Sequence, residues 1–123
     1  MIGSNGRNII LIGYRGTGKT SIGKELARRL NRPFHDTDAL IEKREGRSIK
    51  AMVDKEGWAF FREREKTAIR SLSAIHRCII ATGGGAVLDP ENARLLESIG
   101  VIVLLTATEE VTVQRMLADP ASR

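Results

Sequence analysis

The sequence predicts an α/β fold in which a parallel sheet is covered by helices on both faces, three layers in all. Three observations carry this expectation. Short apolar runs alternate along the chain with segments of helical period. The runs are apolar throughout rather than alternating with polar residues, as strands buried on both faces require. Three of the four run directly into Gly or Asp at their carboxyl ends, where ligands gather in such sheets.

The first strand is the β-branched run over residues 8–12, which stops at Gly13. From Lys19 the period changes. Ile22, Leu26 and Leu30 recur every four residues opposite Lys24, Glu25, Arg28 and Arg29, which is an amphipathic helix ended by Pro33. Phe34 and His35 begin a short second strand. Asp38 is placed to cap a helix through Ala39, Leu40 and Ile41 that stops at Gly46, and Ser48 to cap another that stops at Gly57. Residues 58–75 read as a long helix with Phe61, Ile69, Leu72 and Ile75 towards the core. Residues 77–81 form a third strand, halted by three glycines. Asp89-Pro90 is a helix start with Asp as N-cap and Pro at the first helical position. That helix closes at Gly100, a fourth strand covers residues 101–105, and Thr108 opens a helix reaching Leu117.

Composition bounds the function. The 123 residues, 41% apolar and 28% charged, suit one compact domain spanning residues 1–123 and exclude disordered and fibrous classes. No apolar run approaches the roughly 20 residues of a membrane-spanning helix. The polar start lacks a signal peptide's apolar region, so a cytoplasmic location is expected. The single cysteine permits no internal disulfide, and no Cys/His set has zinc spacing. The net charge of +5 is uneven: residues 1–77 carry +8 and residues 78–123 carry −3. A basic half favours anionic ligands. Nucleic acid is not expected among them, because no run of five basic residues occurs and Trp58, Phe60 and Phe61 are clustered rather than interleaved.

Gly13-Tyr14-Arg15-Gly16-Thr17-Gly18-Lys19-Thr20 fits G-x-x-x-x-G-K-[ST] between a strand and a helix. Its glycines let backbone N–H groups turn inward on phosphate oxygens, and the helix N-terminus adds favourable partial charge. Lys19 brings a positive charge to the outer phosphates, and the Thr20 hydroxyl can ligate Mg²⁺. This predicts nucleoside triphosphate binding. Neither the third nor the fourth strand ends in the acidic residue that holds the metal in motor and switch NTPases. The acidic partner then falls to Asp36 or Asp38 after the second strand, an arrangement that favours a small-molecule kinase.

Asp36 and Asp38 lie at i and i+2, on one side if the backbone stays extended. One can orient Mg²⁺ through water and the other accept a proton from an attacking hydroxyl. The competing reading makes Asp38 a helix cap and Asp36 a surface turn residue. Arg62 offers a planar fork for a carboxylate, yet it stands in the charged run 62–66, and by spacing alone it reads as a solvated face. Gly83, Gly84 and Gly85 expose consecutive N–H groups that can bind an anion or hydroxyl, or simply form a flexible turn. Cys78, Trp58, His35 and His76 read as structural.

The phosphate loop resembles that of the shikimate kinases, and so do residues 34–38 with Ile41-Glu42, Gly46-Arg47-Ser48-Ile49, Phe61-Arg62 with Glu65, and Thr82-Gly83-Gly84-Gly85-Ala86-Val87, in order and spacing. That resemblance implies a P-loop NTPase-like fold and transfer of the γ-phosphoryl group of ATP to the 3-hydroxyl of shikimate, on the way to chorismate and the aromatic amino acids. It implies that Gly16, Thr17, Gly18, Lys19, Thr20 and Ser21 bind ATP, with Lys19 stabilising the transferring group. Thr20 and Asp36 would serve Mg²⁺. Asp38 would bind the shikimate hydroxyls and take the proton, Arg62 would pair with the shikimate carboxylate, and Gly83, Gly84 and Gly85 would line the substrate. The expected partners are shikimate and ATP alone, with no nucleic acid or membrane, and the expected state is a monomer.

The chain departs from the family pattern at Arg123, which resembles the lid arginine that touches nucleotide. Family members continue through a mobile lid, a second substrate arginine and an adenine-contacting loop. The chain is therefore expected to be a truncated, marginally stable part of such an enzyme, with its activity alone left open. Two alternatives stand beside this: another small-metabolite kinase, such as a gluconate kinase, or a nucleotide-binding module without catalysis.

Overall fold

A computed structural model describes residues 7–13, 19–83 and 85–105. Within them four strands form one parallel sheet in the order β2-β3-β1-β4, with β1 at Asn8–Ile12, β2 at Phe34–Asp36, β3 at Ile79–Ala81 and β4 at Gly100–Leu104. Five α-helices connect them: α1 Lys19–Leu30, α2 Thr37–Glu45, α3 Ile49–Glu56, α4 Trp58–Ser71 and α5 Pro90–Ile99.

The layers follow from the two-residue period of β1. Ile9 and Leu11 face one side with Ile22, Leu26 and Ala27 of α1. Ile10 faces the other with Ile80, Ile69 and Leu72 of the α4 segment and Leu96 of α5. Each isoleucine or leucine side chain among them, when fully withdrawn from water, contributes about 1.5–3 kcal/mol. A third cluster, Ile41, Met52, Phe61 and Ala68, binds α2 and α3 to α4 and forms a small helical layer beside the sheet. The three-layer expectation holds.

Boundaries moved where local signals met tertiary ones. The first turn of α2 is capped by Asp36, not Asp38. Strand pairing of Asp36 with Ala81 keeps Asp36 extended, and its Oδ1 accepts from the amides of Asp38 (2.9 Å) and Ala39 (3.2 Å). Helix α1 ends at Leu30 because Asn31 turns left-handed, two residues before Pro33. Helix α4 ends at Ser71, and the rest of the expected 58–75 helix is a succession of tighter turns that still packs Ile75 on the core. Arg77 is also left-handed, so β3 starts at Ile79. Ser48 and Asp89 cap α3 and α5 as expected, and Gly46, at φ +70°, closes α2. A short 3-10 turn over Ala86–Leu88 was not anticipated. The helix expected from Thr108 lies outside the described residues.

One polar side chain organises the amino ends of the strands. Asn8, fully buried, donates to the carbonyls of Ile75 (3.0 Å) and Ile99 (3.1 Å) and accepts from the Cys78 amide (2.9 Å).

Candidate active site

The carboxyl ends of β2, β3 and β1 lie side by side, which sets Asp36, Thr82-Gly83 and Gly13 in a row. Helix α1 starts over this row and brings two of its first residues to it. Lys19 donates from Nζ to the Gly13 carbonyl at 2.7 Å, and the Thr20 hydroxyl donates to Asp36 Oδ2 at 3.1 Å. Both oxygens of Asp36 are therefore in use, one on the helix cap and one on Thr20. Ser21 stands exposed on the same turn.

Asp38 does not share an extended strand with Asp36, because the helix begins between them. It sits in the first turn of α2 and turns into a cavity of about 820 Å³. Its Oδ1 is buried without a hydrogen-bond partner. Burial, and then the neighbouring Asp36 and Glu65 carboxylates, push its pKa up to about 6, with Lys19 acting the other way.

Across the cavity, helix α4 supplies Arg62. The arginine is not simply a solvated face: its guanidinium lies 5.3 Å from the Trp58 ring centre and 5.4 Å from that of Phe61, and donates to Glu65 Oε1 at 2.9 Å. Glu65 is 1% exposed. Its Oε2 has no partner, and burial raises its pKa against the pull of Arg62. The third wall is the loop after β3. A Cβ at Gly83 would lie 2.9 Å from Asp38 Oδ1 and 3.3 Å from Glu65 Oε2, and one at Gly85 would lie 2.5 Å from Arg62 Nη2. A side chain at either position would therefore push aside the Asp38, Glu65 or Arg62 groups that face the cavity.

The structure thus brings Lys19, Thr20, Asp36, Asp38, Arg62, Gly83 and Gly85 to one end of the sheet. Gly16, Thr17, Gly18, Gly84 and Arg123 lie outside the described residues. Glu65 and Trp58 are among the cavity residues to which the sequence assigned no site role. Glu65 was hidden in a charged run, although its position four residues after Phe61 places it on the buried face. Trp58, read as structural, is 59% exposed and lines the cavity. Cys78 is buried as expected, with its thiol pKa raised by burial. His35 is half-buried in β2, and His76 is exposed before β3.

A family model described as shikimate kinase matches residues 15–123. The chain is 74% identical over 95% of its length to a shikimate kinase of Syntrophus aciditrophicus, of which it covers 60%. It is 49% identical over 94% of its length to one of Geobacter sulfurreducens, of which it covers 64%. It superposes on a shikimate kinase from Acinetobacter baumannii, solved in complex with shikimate, with a TM-score of 0.81 at 38% identity, over 91% of this chain and 63% of that one. The chain therefore spans about 60% of the length of the curated relatives it matches.

Proposed function

Because the chain belongs to the shikimate kinase family, we propose that it carries the phosphate loop, proton acceptor and first carboxylate clamp of an enzyme that transfers the γ-phosphoryl group of ATP to the 3-hydroxyl of shikimate. The observation that carries this reading is the convergence of Asp38, Arg62 and Gly83 on one cavity, at the end of the sheet where Lys19 and the Thr20–Asp36 pair also stand.

The chemistry follows from the geometry. The Arg62 fork takes the acceptor's carboxylate in a bidentate grip, and the side-chain-free backbone at Gly83 and Gly85 lets the ring come close. Asp38 accepts the proton of the attacking hydroxyl as its oxygen bonds to the γ-phosphorus and the bond to the β-phosphate oxygen breaks, releasing ADP. A carboxyl with a pKa of about 6 is mostly ionised at neutral pH and basic enough to hold that proton. Lys19 offsets charge on the outer phosphates. No three described His, Cys, Asp or Glu side chains could hold a metal together. The hard oxygens of Thr20 and Asp36 nevertheless suit Mg²⁺ that takes its other ligands from phosphate and water. Such an ion neutralises phosphate charge when bound.

The same reading makes the protein a cytoplasmic monomer with small-molecule partners only. No helix among the described residues is long and apolar enough to cross a membrane. Nothing in the site favours gluconate over shikimate. A coupled assay of ADP release tests the proposal, with shikimate and gluconate offered separately alongside Mg²⁺ and ATP. Release with shikimate alone is expected. Binding of ATP without release by either acceptor would overturn it.

A further inference from the structure

Behind Arg62 stands a charged cluster that phosphoryl transfer does not use. Arg62 and Lys66 are four residues apart on α4 and share a face. Arg62 rests against Gly85, near the start of the loop that leaves β3. Lys66 reaches the far end of that loop: its Nζ is 3.1 Å from Asp89 Oδ2 and 3.1 Å from Glu91 Oε2, and its side chain is only 20% exposed. Asp89 is already oriented, because its Oδ1 accepts from the Glu91 amide at 2.9 Å and caps α5. Arg70, one turn further along α4, pairs with Glu91 Oε1. The cluster balances two cations against two carboxylates, so it holds no surplus charge to recruit a ligand.

We infer that Lys66 is a positioning residue: by gripping Asp89 and Glu91 together, it holds residues 85–89 against α4, so that Arg62 and the backbone at Gly85 meet the acceptor as one rigid unit. The loop is fixed at its start by β3 and at its end by Lys66, and α4 provides both the lysine and the arginine. An isolated, exposed ion pair contributes little. This one shares a cation between two carboxylates, draws on a lysine whose side chain is mostly covered, and uses a carboxylate whose rotamer the helix cap has already selected.

The inference rests on Arg62 being the carboxylate partner, so its test must separate the two. Calorimetric titrations of shikimate and of Mg-ATP would compare the protein with Lys66→Met, Lys66→Arg, Asp89→Asn and the Lys66→Met/Asp89→Asn pair. Met keeps the apolar stem, and Asn keeps the helix cap. In Lys66→Met and Asp89→Asn the shikimate Kd is expected to rise about threefold to fivefold, with nucleotide affinity unchanged. Lys66→Arg should restore wild-type affinity, and the double variant should be no weaker than the worse single one. Unchanged shikimate affinity in Lys66→Met, with binding by the wild type, would overturn the strut and leave the substrate reading standing. Equal loss of shikimate and nucleotide affinity, unrescued by Arg, would reduce Lys66 to general stability and overturn it too. A wild type that binds nucleotide but no shikimate would remove both readings.

Discussion

The hydroxyl of Thr20, on the first turn of α1, donates to Asp36 Oδ2 at 3.1 Å, linking the start of α1 to the end of β2. On the proposed function that bond joins the nucleotide side of the site to the acceptor side, because Asp36 also caps the helix that carries Asp38. Replacing Asp36 by Asn keeps a good cap and removes the charge. The Mg²⁺ concentration for half-maximal ADP release is expected to rise about tenfold, with the melting temperature nearly unchanged. Normal Mg²⁺ dependence, with the melting temperature equally unchanged, would make Asp36 a cap and nothing more.

Asp38→Asn should lower kcat by about two orders of magnitude or more while ATP affinity stays near that of the wild type. Retention of more than about a tenth of the turnover would exclude the proton-acceptor role.

The same substitution has an opposite effect on stability. The folded-state pKa of Asp38, about 6, lies above the ordinary 3.8, so the folded chain holds its proton longer than the unfolded one. Stability therefore falls as pH rises from about 4 through 6, and the loss is complete above that range. Asn carries no charge into the cavity. Asp38→Asn is expected to be more stable than the parent by about 1–2 kcal/mol at pH 7, and the two melting curves should converge near pH 4. Parallel curves across that range would contradict the buried-carboxyl account.

Arg62→Lys substitutes a compact ammonium for a planar fork. Shikimate affinity should drop by about tenfold or more, with ATP affinity preserved. Equal affinity by calorimetry would remove Arg62 from the carboxylate contact.

Gly83→Ala inserts a methyl 2.9 Å from Asp38 Oδ1. Both nearby atoms end movable side chains, so the fold should survive while the carboxyls are pushed into the space meant for the acceptor. A rise in the shikimate KM of about tenfold, with far-UV circular dichroism unaltered, is expected. A normal KM would place the acceptor elsewhere.

How far the fold was legible depended on whether a signal was local. Asp89-Pro90, Ser48 and the apolar run of β1 act within a few residues, and the structure agrees with them. That Asp36 rather than Asp38 caps α2 was not legible, because the length of β2 is decided by pairing with Ala81, some 45 residues away. Arg62 and Glu65 show the same limit in the site. In a run of alternating charges, only the packing of α4 against the cavity reveals which members face inward. The glycines after β3 were conspicuous, yet the atoms they make room for belong to two distant helices.

The amide of Asn8 gives the molecule unequal ends. Three segments are stitched together at the floor of the sheet through a single side chain, while the opposite rim is held by pairwise contacts such as Thr20 with Asp36. On the proposed function, small molecules enter and leave at the rim without disturbing that floor. Truncating Asn8 to Ala would instead strand the buried Cys78 amide and take the Asn8 donor from two part-buried carbonyls, so damage there spreads along the sheet rather than to one ligand.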